Sequence, residues 1–473
     1  MLARVKTCGG VRRWLCGGAL GACLLAMQAQ AQMPLPTAPV NGGGGALSLL
    51  DAYGLALEND ATLRAARAQA QGVAERLNQA RAQLYPNISF NASRYKNDLT
   101  RTQPNVLGQS TVTQEQYFSY GQNLQLRQPL YRPQLLLGVD VARAQGEEGQ
   151  AFLRREEQLL GVRVAEAYLQ VLLAQDNETL IKAQQRLAEQ QLDAAQKRFD
   201  GGQGIRTDVD EAQAQIDLLA ARRLEASQAR QTALLQVQQM TQQPASAVMG
   251  LTPQALGAQE FAVHTPQYWL ERALASSPEI AAARWRLDTA RLEVKRAEAN
   301  HKPTLDALIQ IGRSGSENVT ATQSSYLNRQ VGLQLNVPLY SGGAVQSAVR
   351  QALAEQTRQE ELLEVAQRDL GLRVQREWRG VTEGVLRMRA TERAVASADK
   401  VVVSVQRSFE AGVRTVLDVL NAQQQAQQAR RDLGEARLAY VAARLRLIAL
   451  AGELTADHFQ AVGGWFALAP SQP

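Results

Sequence analysis

Cysteine is almost missing from this chain of 473 residues: Cys8, Cys16 and Cys23 are the only three, and they share one N-terminal stretch. Everything beyond residue 23 therefore has no thiol for a disulfide or for a cysteine-ligated zinc or iron–sulfur site. Histidine is equally scarce, and His264, His301 and His458 stand far apart in no metal-binding spacing. Past the N-terminal segment there is no apolar run of the roughly 18 residues that a membrane-spanning helix needs. The cluster Gly201-Gly202-Gln203-Gly204 lacks the Lys-Ser/Thr of a phosphate-binding loop. No reaction centre is visible, so the sequence reads as a non-enzyme without cofactor or metal. Excess charge is absent too, once it is located. The net charge is +6, but Arg4, Lys6, Arg12 and Arg13 sit in residues 1–31 without an acid, leaving +2 for the rest. That balance gives no support for a nucleic-acid partner.

What is present begins with an address. The four cations precede an uncharged run from Trp14 to Met27, which ends near the small-residue pattern Ala29-Gln30-Ala31. This is a secretory signal peptide over residues 1–31, excluded from the fold. Leu20-Gly21-Ala22-Cys23 offers an alternative, lipoprotein processing with acylated Cys23; continuation of the apolar run past Cys23 favours cleavage after Ala31. Residues 32–46, rich in Pro and Gly, form a tether.

The remainder is one unit written twice. Leu63, Arg67, Ala80 and Pro86 recur 217 positions later as Ile280, Arg284, Ala297 and Pro303. Phe199, Gly202, Asp208, Val209 and Ala212 recur 210 later as Phe409, Gly412, Asp418, Val419 and Ala422. Preserved order over such a separation marks a duplication rather than a short-period solenoid. No proline occurs between Pro133 and Pro244 or between Pro338 and Pro470, and both stretches are rich in strong helix formers. Each is interrupted once, at Phe199 to Gly204 and at Phe409 to Gly412, as a hairpin of two long helices requires. In the last helix Ala422, Ala426, Ala429, Leu433, Ala436, Tyr440, Ala443, Leu447 and Leu450 alternate in steps of four and three, a coiled-coil stripe. A plain structural coiled coil would satisfy these features.

The segments between the helices argue against a plain rod. Ile88, Phe90 and Ala92 alternate with Ser89, Asn91 and Ser93; Phe118, Tyr120, Leu124 and Leu126 alternate with Ser119, Gly121, Asn123 and Gln125. Leu305, Ala307, Ile309 and Ile311 interleave with polar residues in the second unit, as do Val331, Leu333, Leu335 and Val337. Four strands of period two, about ten residues each, match the apolar-out, polar-in pattern of an outer-membrane barrel. A soluble sheet with one wet face is the competing reading. Four strands cannot close a barrel, for which about eight is the smallest number. An open edge is not tolerated in lipid, so transmembrane strands would require several chains to share one barrel.

With these features, the string Phe409-Glu410-Ala411-Gly412-Val413-Arg414-Thr415-Val416-Leu417-Asp418-Val419-Leu420-Asn421-Ala422-Gln423 resembles the TolC family of outer-membrane channels. The resemblance implies a mainly α fold with a small transmembrane β part, built from a duplicated unit of two strands plus a long helical hairpin. It implies a homotrimer whose strands make a 12-stranded barrel in outer-membrane lipid, continued into a periplasmic helical barrel. Its implied function is a passive exit duct of a type I secretion or efflux system. The partners would be a periplasmic adaptor and an inner-membrane ABC or RND transporter. The expected layout is a first repeat at 47–265, with a helix at 47–85, strands at 87–130, a hairpin at 132–243 and an equatorial segment at 244–265. A second repeat at 266–454 has a helix at 266–300, strands at 304–339 and a hairpin at 341–451, before an equatorial tail at 455–473.

By the same resemblance, Asp418 lines a periplasmic aperture, where copies form a ring of like charge that attracts cations. The family's second acidic ring falls on Asn421. Arg414 would tie the aperture shut through Thr207 and Asp208, and Phe409 replaces a tyrosine whose hydroxyl supplies another tie. Gly202 and Gly412 mark hairpin tips that touch the adaptor. The residues alone support a second role: Thr415 to Asp418 and Thr207 to Asp210 both read as capping boxes opening the return helices.

Overall fold

The computed structural model describes residues 46–104, 108–251, 264–317 and 324–467. The signal peptide at 1–31 with Cys23, all but the last residue of the tether at 32–46, residues 252–263 and residues 468–473 lie outside the described residues. The first repeat contains α1 (Leu49–Asn59), α2 (Ala61–Ala82), β1 (Asn87–Pro104), β2 (Ser110–Tyr131), α3 (Pro133–Asp200), α4 (Arg206–Thr241) and the short β3 (Gly250–Leu251). The second contains α5 (Pro266–Ser276), α6 (Pro278–Ala299), β4 (Thr304–Ser316), β5 (Ser324–Asn336), α7 (Ala344–Glu410) and α8 (Val416–Leu450), followed by α9 (Ala456–Gly463) and β6 (Phe466–Ala467).

Two expectations need correction. The single helices at 47–85 and 266–300 are each divided in two. Asp60 closes α1 by donating its backbone N–H to the Ala56 carbonyl, and opens α2 by accepting from the Leu63 N–H at 2.8 Å. Ser277 holds the matching place between α5 and α6, followed by Pro278, whose ring suits the first position of a helix and breaks an interior. The strands are also longer than about ten residues: 18 in β1, 22 in β2 and 13 in each of β4 and β5. Their distal halves carry polar residues on both faces, which hides them from a test of alternation, yet pairing continues out to Pro104 and Ser110.

The four long strands form one antiparallel sheet in the order β1-β2-β4-β5. Residues paired across a ladder share a face. One face is apolar near the helices, with Ile88, Phe90 and Ala92 on β1, Leu126 and Leu124 on β2, Ala307, Ile309 and Ile311 on β4, and Leu335, Leu333 and Val331 on β5. Val331 and Leu333 stand 80% and 70% exposed. On the opposite face Asp306 is buried between Arg127, 2.6 Å away, and Arg132, 2.7 Å away. These bonds tie β4 to β2 and to the start of α3.

The helices α3 and α7 have 68 and 67 residues, so each is about 100 Å long at ~1.5 Å per residue. α3 packs against α2, α4, α6 and α8. On α8, Ala422, Ala426, Leu433, Ala436, Tyr440, Ala443 and Leu447 are buried, as the four-three spacing predicts. Midway along, Glu178 of α3 is buried between Lys182 and Arg230 of α4, both at 2.7 Å. The hydrogen bond from Lys182, then the nearby cations, hold its carboxyl below the usual range.

The hydrophobic core lies at the waist of the helices. There α1 and α9 meet, with Tyr53 stacked on Phe459 at 4.1 Å, and β3 pairs with β6. The Tyr168 hydroxyl lies 3.0 Å from the Leu47 carbonyl and 3.1 Å from that of Met249. Gly161 gives α3 room at this point, because a Cβ there would lie 2.7 Å from Leu454 and 3.3 Å from Phe459.

Candidate functional site

The hairpin tips carry most of the candidate residues, and backbone geometry positions them. At the first tip the N–H groups of Gly201, Gly202 and Gln203 donate to the carbonyls of Lys197, Phe199 and Arg198. At the second, the N–H groups of Ala411, Gly412 and Val413 donate in the same pattern to Arg407, Phe409 and Ser408. Gly202 and Gly412 occupy the left-handed region with φ of 70° and 76°, which glycine adopts without steric cost. The turns therefore repeat as the duplication predicts.

The helix starts that follow do not repeat. Thr415 forms a complete capping box with Asp418: the Asp418 N–H donates to the Thr415 hydroxyl at 3.2 Å, and the Thr415 N–H donates to Asp418 Oδ2 at 2.9 Å. That N–H, then the Thr415 hydroxyl and the Arg414 guanidinium, lower the Asp418 pKa. The box expected from Thr207 to Asp210 is not formed. The residue at the cap is Ile205, which has no side-chain acceptor, and Thr207 already lies inside α4. Duplication places Ile205 opposite Thr415 and Asp208 opposite Asp418, so the first tip keeps the acid and lacks the hydroxyl.

Arg414 reaches Asp418 at 3.5 Å within its own hairpin; its contacts within the chain do not include Thr207 or Asp208 among the described residues. Asn421 is exposed one turn beyond Asp418. Phe409 is covered by a residue that the sequence did not single out: the guanidinium of Arg198 lies 4.5 Å from its ring centroid. This cation–π contact joins the end of α3 to the end of α7. Ser408 stands in the second unit where Arg198 stands in the first, so the repeat concealed it; the dipeptide Arg198-Phe199 beside a turn was the available signal. A cavity of about 540 Å³ opens here, lined by Gln191, Ala195, Arg198, Phe409, Val419 and Gln423 among others. Gln191 bridges it by donating to Gln423 at 3.2 Å. Among the described residues no cluster of His, Cys, Asp and Glu could hold a metal ion.

The chain matches the outer membrane efflux protein family over residues 52–242 and again over residues 269–453. The alkaline protease secretion protein AprF of Pseudomonas aeruginosa is 33% identical over 425 residues, covering 89% of this chain and 88% of AprF. The proteases secretion protein PrtF of Dickeya chrysanthemi is 32% identical over 435 residues, 91% of this chain and 93% of PrtF. Among solved structures, CusC has a TM-score of 0.72 at 17% identity, covering 89% of this chain and 97% of CusC, and so shares the fold. Each repeat matches the family separately, strand pair and hairpin together, so the chain belongs to the outer membrane efflux proteins, the TolC-like exit ducts of the outer membrane.

Proposed function

We propose that three copies of this chain close a 12-stranded barrel in the outer membrane and continue it into a helical tunnel that exports protein cargo. The observation that carries this reading is the sheet. Its outer edges, on β1 and β5, pair with nothing among the described residues, and one face is apolar. Open edges in lipid cost several kcal/mol for each unpaired group, about, so the edges must meet those of other copies. Exposed apolar residues on the helices, such as Leu224 and Leu235 on α4 and Leu372 and Leu386 on α7, supply further contact between copies.

Both relatives described above are named for protease secretion, which favours a type I system with an ABC transporter over small-molecule efflux. At the periplasmic end, Asp418 forms a ring with Asn421 neutral behind it, and Arg414 meets Thr207 and Asp208 of a neighbouring copy. Ile205 and Val413, 62% and 78% exposed beside Gly202 and Gly412, give the adaptor an apolar foothold.

Conductance in planar bilayers tests this. Discrete pores blocked by a trivalent cation, with block lost in Asp418→Ala, are expected. Phe409→Tyr should lower conductance, since a hydrogen bond to a charged group adds about 1.5–3 kcal/mol to the closed state. Absence of pores, under conditions where a porin inserts, would return the chain to a structural coiled coil.

A further inference from the structure

Arginines are set into the apolar face of the sheet at its end away from the helices. Moving away from the helices, the run of apolar positions on that face is interrupted by arginine on three of the four strands, with Leu327 on β5 and Phe118 on β2 lying beyond or level with them. Ala92 gives way to Arg94, Ile311 to Arg313 and Val331 to Arg329. Lys96 follows Arg94 on β1, and all four cations are exposed. Their strand neighbours on the opposite face, Ser93, Tyr95, Gly312, Ser314, Asn328 and Gln330, are uncharged. At this level of the sheet the cations thus lie on the lipid side, whereas Arg127 and Arg101 on the opposite face lie nearer to and farther from the helices. Asp98, an acid further out on this face of β1, accepts a hydrogen bond from Gln116 at 3.1 Å and makes no ion pair with them.

The positions are level with one another. Arg94 is six residues from Ile88, where the apolar positions of β1 begin, and Arg329 is six residues from Leu335, the last on β5. On the ladder itself Arg329 lies two steps nearer the helices than Arg94, and the strand bases shift by the same two steps. Strands tilted by about 40° produce such a shift, because a row of paired residues then climbs across the sheet. Height points to the outer leaflet. Arg94 is seven residues along β1 from its first residue, Asn87, or about 18 Å along the membrane normal at that tilt, in the distal part of the ~25 Å apolar band of transmembrane barrels.

We infer that Arg94, Arg313 and Arg329, with Lys96, form a girdle that binds the phosphates of a phosphorylated glycolipid in the outer leaflet. The inference rests on the barrel reading above. Guanidinium groups grip phosphate oxygens in pairs and tolerate partial removal from water, which suits them to the rim of an apolar band. Arg94 also rests over the Phe118 ring at 4.9 Å, so its fork is held at the surface rather than sweeping freely.

The test uses the full-length oligomer in nanodiscs of uncharged phospholipid doped with bis-phosphorylated lipid A or with its dephosphorylated form. Retained lipid is measured by mass spectrometry after washing. Wild type should retain the phosphorylated lipid at least about tenfold better, and Arg94→Gln/Arg313→Gln/Arg329→Gln should lose that preference. Arg101→Gln, on the other face of β1, should retain it. Equal retention of both lipids by wild type overturns the girdle, whether or not the triple variant folds. So does unchanged preference in a folded triple variant, or displacement of the lipid by millimolar inorganic phosphate, which would mark a site for a free anion. Conductance in the same uncharged lipid separates the two levels: pores without lipid preference sink the girdle alone, and no pores sink the barrel reading beneath it.

Discussion

The two hairpin tips share a turn and differ in how the return helix begins. Gly202 and Gly412 take the same left-handed conformation, and three backbone bonds repeat donor by donor. Beyond the turn, Thr415 and Asp418 cap each other, whereas Ile205 has no side-chain acceptor and the Asp208 N–H donates to its backbone carbonyl instead, at 3.2 Å. The duplication has kept what the backbone needs and released what only one tip uses. A capped tip holds Asp418 at a fixed place, as the proposed ring around an aperture would require; the other tip offers an exposed isoleucine instead.

The comparison can be broken at its shared part first. Gly202→Val and Gly412→Val should each cost about 1–2 kcal/mol per chain, because a β-branched residue is strained at positive φ. Denaturant unfolding of the hairpins would show equal losses; a loss at one tip alone would mean that the turns are not equivalent. Next, Thr415→Val should cost about 1 kcal/mol by removing the cap, against less than about 0.5 for Thr207→Val. Hydrogen exchange of the first amides of α8 and α4 would report each. Ile205→Thr should add roughly 0.5–1 kcal/mol at the first tip by building the missing cap, and protection at α4 should rise. The smallest effect is on pH. Since the Asp418 pKa is lowered, its stabilisation is present above the ordinary carboxylate range and fades as pH falls through the lowered value. Exchange at the Thr415 amide should accelerate in that acidic window.

Much of this fold could be read from the residues. Proline-free stretches gave the long helices because proline is incompatible with a helix interior, and seven of the nine four-three positions on α8 are buried, Ala429 and Leu450 being half-buried, while Leu438, Val441, Leu445 and Ile448 widen the buried face towards the waist. Asp60 was not legible as a break, because an aspartate is an ordinary helix-surface residue until its side chain is seen on the Leu63 N–H. The first capping box was misplaced by two residues, since Thr207 and Asp210 satisfy the spacing while the chain turns into helix before them. At the site, Asp418 could be found from its string, but Arg198 could not, because its partner Phe409 is 211 positions away and only folding brings them together.

The waist joins the earliest and latest parts of the described chain: Leu47 bridges to Val248, β3 pairs with β6, and Phe459 fills the space that Gly161 leaves. A polypeptide threaded out of the cytoplasm from its N-terminus delivers both strand pairs and both hairpins before Phe459 and Phe466 emerge. The waist core is therefore completed only by the last described elements, α9 and β6. A chain cut short before α9 would lack Phe459 against Tyr53 and Gly161 and would leave that core open, although both strand pairs and both hairpins were already made.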